Sequence, residues 1–219
     1  MDRLVTFGCS NTYGEGLSDC WEPRLQKAGR VPSKFAWPNL VAKQLEMEVV
    51  NLSIPGASNK HILDTILHVD FLPTDKVVIM WTYEDRYCFF KDSKRLSWSG
   101  PKHQRMLPSD LNKIKSGQSV SGTDLRHTKY YYENLHTDYD ARYESTLRIN
   151  YAKYHLDRLG LKNFHVTCDK THVDSFRFSI INPKFIEDLK LDYADDKSHP
   201  GILAQQSMAK QIIDLIQQN

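Results

Sequence analysis

Short apolar segments recur along the chain and are separated by longer amphipathic ones. The apolar segments predict β-strands at residues 4–7, 48–52, 76–82 and 163–168, with a fifth at 176–181. In the segment 76–82 the apolar residues follow one another without alternation, which indicates a strand buried on both faces. Strands of that kind are typical of parallel sheets.

The amphipathic segments predict four helices, at residues 33–47, 58–69, 141–159 and 202–217, with Ser58 as the N-cap of the second. Residues near helical spacing are expected to face the core: Phe35, Trp37, Leu40, Val41 and Leu45; Ile62, Leu63, Ile66 and Leu67; Leu147, Ile149, Tyr151, Tyr154, His155 and Leu159; and Ile202, Leu203, Met208, Ile212, Ile213 and Leu215. Strands that alternate with helices indicate a doubly wound parallel sheet. Right-handed crossovers then place the carboxyl ends of all strands at one edge.

The segment at about 83–140 interrupts this alternation. It is long and polar, and it contains three consecutive tyrosines at residues 130–132. A structureless loop of this length is unusual, so part of it is predicted to be helical. We interpret it as an insertion that forms a lid or wall, or as a surface excursion. No repeat or linker divides the chain, and we expect a single domain over residues 1–219.

Composition excludes several classes of function. The chain has 219 residues, and 29 Lys and Arg against 27 Asp and Glu give a net charge of +2. This balance argues against nucleic acid or an anionic membrane as a partner. No CxxC pair is present among the four cysteines, so no structural zinc site is expected. Because no signal region or membrane span is evident, we expect a cytoplasmic protein with reduced thiols.

The first predicted strand ends in a turn that carries a serine. Gly8 permits the turn, and Ser10 follows at the edge of the sheet where open α/β folds bind ligands. A helix that begins here would point its first amides at whatever Ser10 contacts. The pattern predicts a nucleophile, and it also fits a phosphate-binding turn or an ordinary strand-to-loop connection.

Asp196 and His199 stand three residues apart just before the last predicted helix. A hydroxyl becomes a good nucleophile when a base takes its proton, and histidine does this near neutral pH. A carboxylate on the same tight turn can reach the far ring nitrogen and fix the tautomer. The same pair is compatible with a plain helix cap. It could also bind a metal, although no further ligand stands nearby in sequence.

Three motifs together resemble the SGNH hydrolases, also called the GDSL esterase and lipase family. They are the Gly-Cys-Ser-Asn-Thr block at residues 8–12, the glycine turn at 54–59 and the Asp-x-x-His-Pro block at 196–200. The Gly-Cys-Ser form of the first block is similar to a subgroup common in phages and bacteria. The resemblance extends over the whole chain. It implies a three-layer α/β/α sandwich with a five-stranded parallel sheet in the flavodoxin-like strand order.

The resemblance also implies roles for individual residues. Ser10 would be the nucleophile, and Asp196 and His199 would complete a catalytic triad. The oxyanion hole would use the backbone amides of Ser10 and Gly56. No metal and no organic cofactor is implied.

Two departures from the family pattern affect the site. Cys9 replaces the usual aspartate of the first block, where the residue supports the turn and does not attack. The third block normally supplies an asparagine as an oxyanion donor, and residues 81–86 contain none. Asn59 is one replacement, with helix capping as its alternative role. Thr82 and Arg86 are the others.

The sequence therefore predicts a serine esterase that hydrolyses a small acyl ester. The polar, aromatic segment 83–140 favours a short acyl group, such as acetate, on a carbohydrate. An O-acyltransferase would use the same residues with an alcohol in place of water. A catalytically weak or inactive domain that binds a glycan or a protein partner is the alternative from another class.

Overall fold

The computed structural model describes residues 2–25, 27–96, 100–115, 125–169, 180, 181 and 191–218. In chain order, the elements are β1 (Arg3–Phe7), α1 (Ser10–Tyr13), β2 (Trp21–Glu22), β3 (Lys27–Ala28), α2 (Trp37–Gln44), β4 (Glu48–Asn51), α3 (Asn59–Ile66), β5 (Lys76–Trp81), β6 (Tyr87–Leu96), β7 (Gly100–Met106), α4 (Pro108–Lys115), α5 (Leu125–Asn134), α6 (Asp138–Arg158), β8 (Lys162–Thr167), β9 (Ile180–Ile181) and α7 (Ile202–Gln217).

A parallel sheet of five strands forms the centre, in the order β4-β1-β5-β8-β9. Counted within the sheet alone, this is the order 2-1-3-4-5 of flavodoxin-like folds, so the predicted fold class is confirmed. Val77 to Trp81 are fully buried in β5, as expected for a strand covered on both faces. The fifth strand is confirmed at residues 180 and 181, and the rest of that prediction lies outside the described residues.

The helices cover both faces of the sheet in two packed pairs, α2 with α7 and α3 with α6. Right-handed crossovers explain this division, because the chain leaves β1 toward one sheet edge and leaves β4 toward the other. The predicted cap of α3 is confirmed, since the Ser58 side chain accepts a hydrogen bond from the His61 amide. The four principal helices begin and end within three residues of their predicted bounds, except that α2 begins at Trp37, four residues after its predicted start.

The predicted buried faces of the helices are wrong in part. In α6, Leu147, Tyr151, Tyr154 and Leu159 are about half exposed. The buried stripe follows helical spacing through smaller residues: Ala141, Ser145, Ile149, Ala152 and Leu156. Small residues on this stripe let the helix approach its neighbours closely, which turns the large tyrosines outward. In α7, Ile202 and Leu203 are likewise exposed, as are Phe35 before α2 and Leu67 just after α3.

The segment after β5 forms elements outside the five-stranded sheet. Strands β6 and β7 make an antiparallel hairpin, and α4 and α5 follow it. The hairpin packs near the start of α3, where the Ser58 hydroxyl lies 3.2 Å from the Cys88 sulfur. Its base is fixed by Tyr132, whose hydroxyl donates to the carbonyl oxygens of Asp85 and Met106. Within the described residues, no helix has the length and apolar character needed to span a membrane.

The two ends of the chain are joined beside the carboxyl edge of the sheet. The Asp195 amide donates to the Gly16 carbonyl oxygen at 2.9 Å. In α7, the Gln205 side chain donates to the Asn11 carbonyl and accepts from the Trp37 amide. Gly16 has a φ of +88°, and a Cβ atom there would lie 2.6 Å from the Asp196 carboxyl carbon. Only glycine leaves room for this carboxylate.

Gly16→Ala should therefore destabilise the fold more than Gly160→Ala does. Both glycines have positive φ, at +88° and +70°, so both substitutions carry a conformational cost of about 1 kcal/mol. A Cβ atom at Gly160 would meet nothing within 4 Å, whereas at Gly16 it meets the Asp196 carboxylate. The expected extra cost at Gly16 is about 1–3 kcal/mol, measured by urea denaturation. Equal losses in the two variants would contradict the tight contact.

Candidate active site

Ser10 lies where β1 ends and the short helix α1 begins. The turn needs Gly8, because a Cβ atom at that position would lie 2.1 Å from the Thr12 hydroxyl oxygen. Asn51, at the end of neighbouring β4, donates its side-chain amide to the Thr12 carbonyl at 3.0 Å and braces the turn. Ser10 is thus held at the carboxyl edge of a central strand, and it is only 5% exposed.

The backbone amides of Ser10 and Gly56 are two unused donors near this turn. In the part of the chain that the structure describes, no group accepts a hydrogen bond from either N–H. Gly56 has a φ of +72° in a buried turn. That turn is tied to the Ser10 turn, since the Ile54 amide donates to the Gly8 carbonyl at 3.1 Å. An N–H group without an acceptor can donate a hydrogen bond to a negatively charged oxygen.

Asp196 and His199 form a close pair. The Asp196 Oδ2 atom lies 2.5 Å from His199 Nδ1, and it also accepts from the Ser198 hydroxyl. The other carboxylate oxygen accepts from the Ser198 and His199 backbone amides, both at 3.0 Å. Burial by itself would raise the pKa of Asp196, but these hydrogen bonds outweigh it and hold that pKa below its ordinary value. The carboxylate is therefore ionised and fixes the orientation of the imidazole.

The other imidazole nitrogen faces a carboxylate that sequence reasoning missed. His199 Nε2 lies 3.8 Å from Glu15 Oε2. Burial raises the pKa of Glu15, while the positive charges of His199 and Arg105 oppose the rise. The position of Glu15, five residues after Ser10 in the same glycine-rich turn, was its only signal in the sequence.

Of the predicted triad, the structure brings Asp196 and His199 into contact and places both beside the turn that carries Ser10. The Glu15 amide donates to the Ser10 carbonyl at 3.0 Å, which links the serine to the residue that faces His199. Among the described side chains, no hydrogen bond joins Ser10 Oγ to His199. Catalytic hydrogen bonds are often long in structures without substrate.

Asn59 is not arranged as an oxyanion donor, which corrects the interpretation made from the sequence. Its amide nitrogen donates to the Thr82 carbonyl and to the Ser145 hydroxyl, both at 3.1 Å. Its oxygen accepts from the Thr82 amide at 2.9 Å. The capping alternative is also wrong, because Ser58 caps α3. Asn59 instead fastens the start of α3 to the end of β5, and this occupies the Thr82 amide as well.

Cys9, which follows Gly8 at the end of β1, is fully buried. The Cys168 thiol hydrogen-bonds to the Cys9 sulfur, which lowers the pKa of Cys9 and raises that of Cys168. The Arg86 guanidinium acts on both thiols and stacks over the Tyr83 ring at 5.0 Å. No group of three or more His, Cys, Asp or Glu suited to a metal ion occurs among the residues described.

The two carboxylates beside His199 should affect stability in opposite directions. Asp196 has a lowered pKa, so its contribution is present above the ordinary carboxyl range and is lost as the pH falls through its folded pKa. Glu15 has a raised pKa, so its ionisation opposes folding at neutral pH. Asp196→Asn should lower the urea midpoint at pH 7, and Glu15→Gln should raise it. The Glu15→Gln difference should shrink at about pH 4, near the ordinary carboxyl pKa, whereas the Asp196→Asn difference should persist there and shrink only at lower pH.

Glu133→Gln is the matched control for this comparison, because its side chain is 54% exposed on α5. Its urea midpoint should stay close to that of the unmodified protein at both pH values. Shifts of the same sign for Asp196→Asn and Glu15→Gln at pH 7 would contradict the opposite roles of the two carboxylates.

Comparisons with known proteins identify the fold. No protein-family model matches the chain, and no curated protein matches it in sequence. Solved structures do match. One is a carbohydrate esterase whose active site is described as displaying divergent catalytic and non-catalytic binding functions, with a TM-score of 0.57 and 12% identity over 100% of this chain and 69% of that one.

A second similar structure is an acetyl xylan esterase from the rumen bacterium Butyrivibrio proteoclasticus. It aligns with a TM-score of 0.54 and 12% identity over 99% of this chain. The chain spans 63% of the length of that esterase. The protein therefore has the three-layer α/β/α fold that these carbohydrate esterases also have.

Proposed function

We propose that the protein is a serine esterase of the SGNH hydrolase type, with Ser10, His199 and Asp196 as its catalytic triad. The observation that carries the proposal is the Asp196–His199 pair, 2.5 Å apart and held beside the Ser10 turn. The neighbours with this fold support it, since both are described as esterases.

In the first half of the reaction, Ser10 Oγ attacks the acyl carbonyl carbon while His199 Nε2 takes the hydroxyl proton. Asp196 accepts from Nδ1–H, so Nε2 is the nitrogen left to act as the base. The carbonyl electrons move onto the oxygen, which the amides of Ser10 and Gly56 stabilise. The imidazolium then gives its proton to the leaving alcohol, and an acyl-serine remains.

In the second half, a water molecule takes the position of the alcohol. His199 removes a proton from it, the water oxygen attacks the acyl carbon, and the proton returns to Ser10 as the acid departs. No cofactor takes part. An alcohol in place of water would make the same site an O-acyltransferase.

During this cycle, His199 Nε2 must leave Glu15 and reach Ser10 Oγ. With Nε2 at 3.8 Å from Glu15 Oε2, the imidazole lies close to a second carboxylate. We infer that Nε2 turns to Ser10 Oγ when substrate fills the site, and that Glu15 supports the imidazolium formed in the transition state.

A small acyl group, such as acetate on a carbohydrate, is the substrate class that we propose. The acetyl xylan esterase with the same fold supports it. The hairpin after β5 places the charged side chain of Arg105 next to Gly56. Such surroundings suit a polar leaving group better than a long acyl chain.

A domain that binds a glycan or a protein partner without catalysis is the second candidate. Two observations favour it: residues 81–86 contain no asparagine, and no hydrogen bond joins Ser10 Oγ to His199 among the described side chains. The two candidates differ in whether Ser10 is activated, which is directly measurable.

With p-nitrophenyl acetate, Ser10→Ala and His199→Ala should each lower kcat by roughly 1,000-fold or more, because each removes a member of a unit that acts together. Ser207→Ala, on α7 away from the turn, should retain the full rate. A fluorophosphonate probe should label the unmodified protein and not Ser10→Ala. Equal hydrolysis in all four proteins, together with no labelling, would favour the binding domain.

A further inference from the structure

We propose that Arg105 is a catalytic residue that supplies the third oxyanion contact, in place of the asparagine that the chain lacks. This inference rests on the proposed esterase function and adds a residue to the same site. It concerns a side chain from the segment after β5, which the sequence did not connect with the site.

Arg105 is held at a defined place by the hairpin. It lies opposite Cys88 in the pairing of β7 with β6, and Cys88 in turn contacts the Ser58 hydroxyl. The next residue, Met106, is fully buried, and its carbonyl accepts from the Tyr132 hydroxyl at 2.9 Å. These contacts fasten the end of β7 against the turn that contains Gly56.

The guanidinium of Arg105 covers Gly56. A Cβ atom at Gly56 would lie 2.8 Å from Arg105 Nη1 and 3.0 Å from Arg105 Cδ. Glycine at this position therefore serves both the positive φ of the turn and the close approach of the arginine. The amide of Gly56 is one of the two unused donors, so a positive charge stands next to the proposed oxyanion position.

The charge of Arg105 also affects Glu15, the carboxylate beside His199. Its charge opposes the rise in the pKa of Glu15, and Glu15 lies 3.8 Å from His199 Nε2. The guanidinium is thus within electrostatic reach of both the Gly56 turn and the carboxylate beside the general base.

Two of the replacements considered from the sequence, Asn59 and Arg86, make contacts away from the Gly56 turn. Asn59 gives its amide protons to Thr82 and Ser145 and accepts from the Thr82 amide. Arg86 stacks on Tyr83, and its charge acts on the buried thiols beneath the turn. Arg105, in contrast, packs against the turn that holds the Gly56 amide.

The chemical role follows from where charge develops. When Ser10 Oγ bonds to the carbonyl carbon, the carbonyl π electrons move to the oxygen, which becomes negative. A guanidinium N–H donates a charge-assisted hydrogen bond to that oxygen, and this bond is stronger in the transition state than with the neutral ester. The contribution should therefore appear in kcat and leave KM nearly unchanged.

The test compares Arg105→Gln, Arg105→Lys and the unmodified protein on two esters of p-nitrophenol, the neutral acetate and the anionic hemisuccinate. Arg142→Gln is the control, since it removes the charge of an arginine that is 53% exposed and paired with Glu84. Arg105→Gln should lower kcat by about 100- to 1,000-fold on both esters, and Arg105→Lys should recover part of the loss. Arg142→Gln should behave like the unmodified protein, and thermal denaturation checks that every variant is folded.

Other outcomes separate this inference from the esterase proposal. A loss confined to KM for the hemisuccinate would overturn the oxyanion role and make Arg105 a binding residue for substrate carboxylates. Unchanged kinetics in Arg105→Gln, with an active unmodified protein, would overturn the inference and leave the esterase proposal intact. If the fluorophosphonate fails to label the unmodified protein, and that protein also fails to hydrolyse either ester, both are overturned.

Discussion

The contact between Gly16 and Asp196 brings the first turn of the chain against its last loop. The carboxylate packs where a side chain at residue 16 would otherwise stand, and the Asp195 amide hydrogen-bonds to the Gly16 carbonyl. Both partners sit at the same edge of the sheet, because parallel strands with right-handed crossovers end there. The position of His199 depends on this contact, since its imidazole is oriented by the Asp196 carboxylate.

Charge is distributed unevenly around His199. Asp196 holds one ring nitrogen and is stabilised as an anion by four hydrogen bonds from Ser198 and His199. Glu15 faces the other nitrogen at 3.8 Å and is disfavoured as an anion by its burial. The imidazole therefore lies between one carboxylate that orients it and a second whose ionisation is costly. The positive charge of Arg105 acts on Glu15, and its side chain lies against the Gly56 turn.

The sequence predicted the sheet and the principal helices because their signals are local. An apolar run such as the one in β5, or a helix cap such as Ser58, can be recognised from a few neighbouring residues. The segment after β5 could not be placed, since the docking of its hairpin depends on contacts such as Ser58 with Cys88. The exposed tyrosines of α6 show the same limit. Their spacing is compatible with a buried helix face, but a different face, lined mostly by smaller residues, packs against the core.

In the site, too, local contacts could be predicted from the sequence and contacts between distant segments could not. The spacing of Asp196 and His199 on one turn was enough to predict their contact. The role of Asn59 was misjudged, because its hydrogen bonds to Thr82 and Ser145 join segments that are far apart in sequence. Glu15, and Arg105 in its proposed role, were missed for a related reason. Glu15 lies against His199 and Arg105 lies against Gly56, and both contacts join residues that are far apart in sequence. A pattern of neighbouring residues cannot predict such contacts.

The most direct measurement is a crystal structure of the protein after reaction with an organophosphonate ester. The account predicts a bond from phosphorus to Ser10 Oγ, with His199 Nε2 turned away from Glu15 to within about 3 Å of that oxygen. The phosphoryl oxygen should accept hydrogen bonds from the amides of Ser10 and Gly56. Phosphorus bonded to another side chain, or a His199 that remains against Glu15 with Nε2 beyond hydrogen-bond reach of Ser10 Oγ, would contradict it.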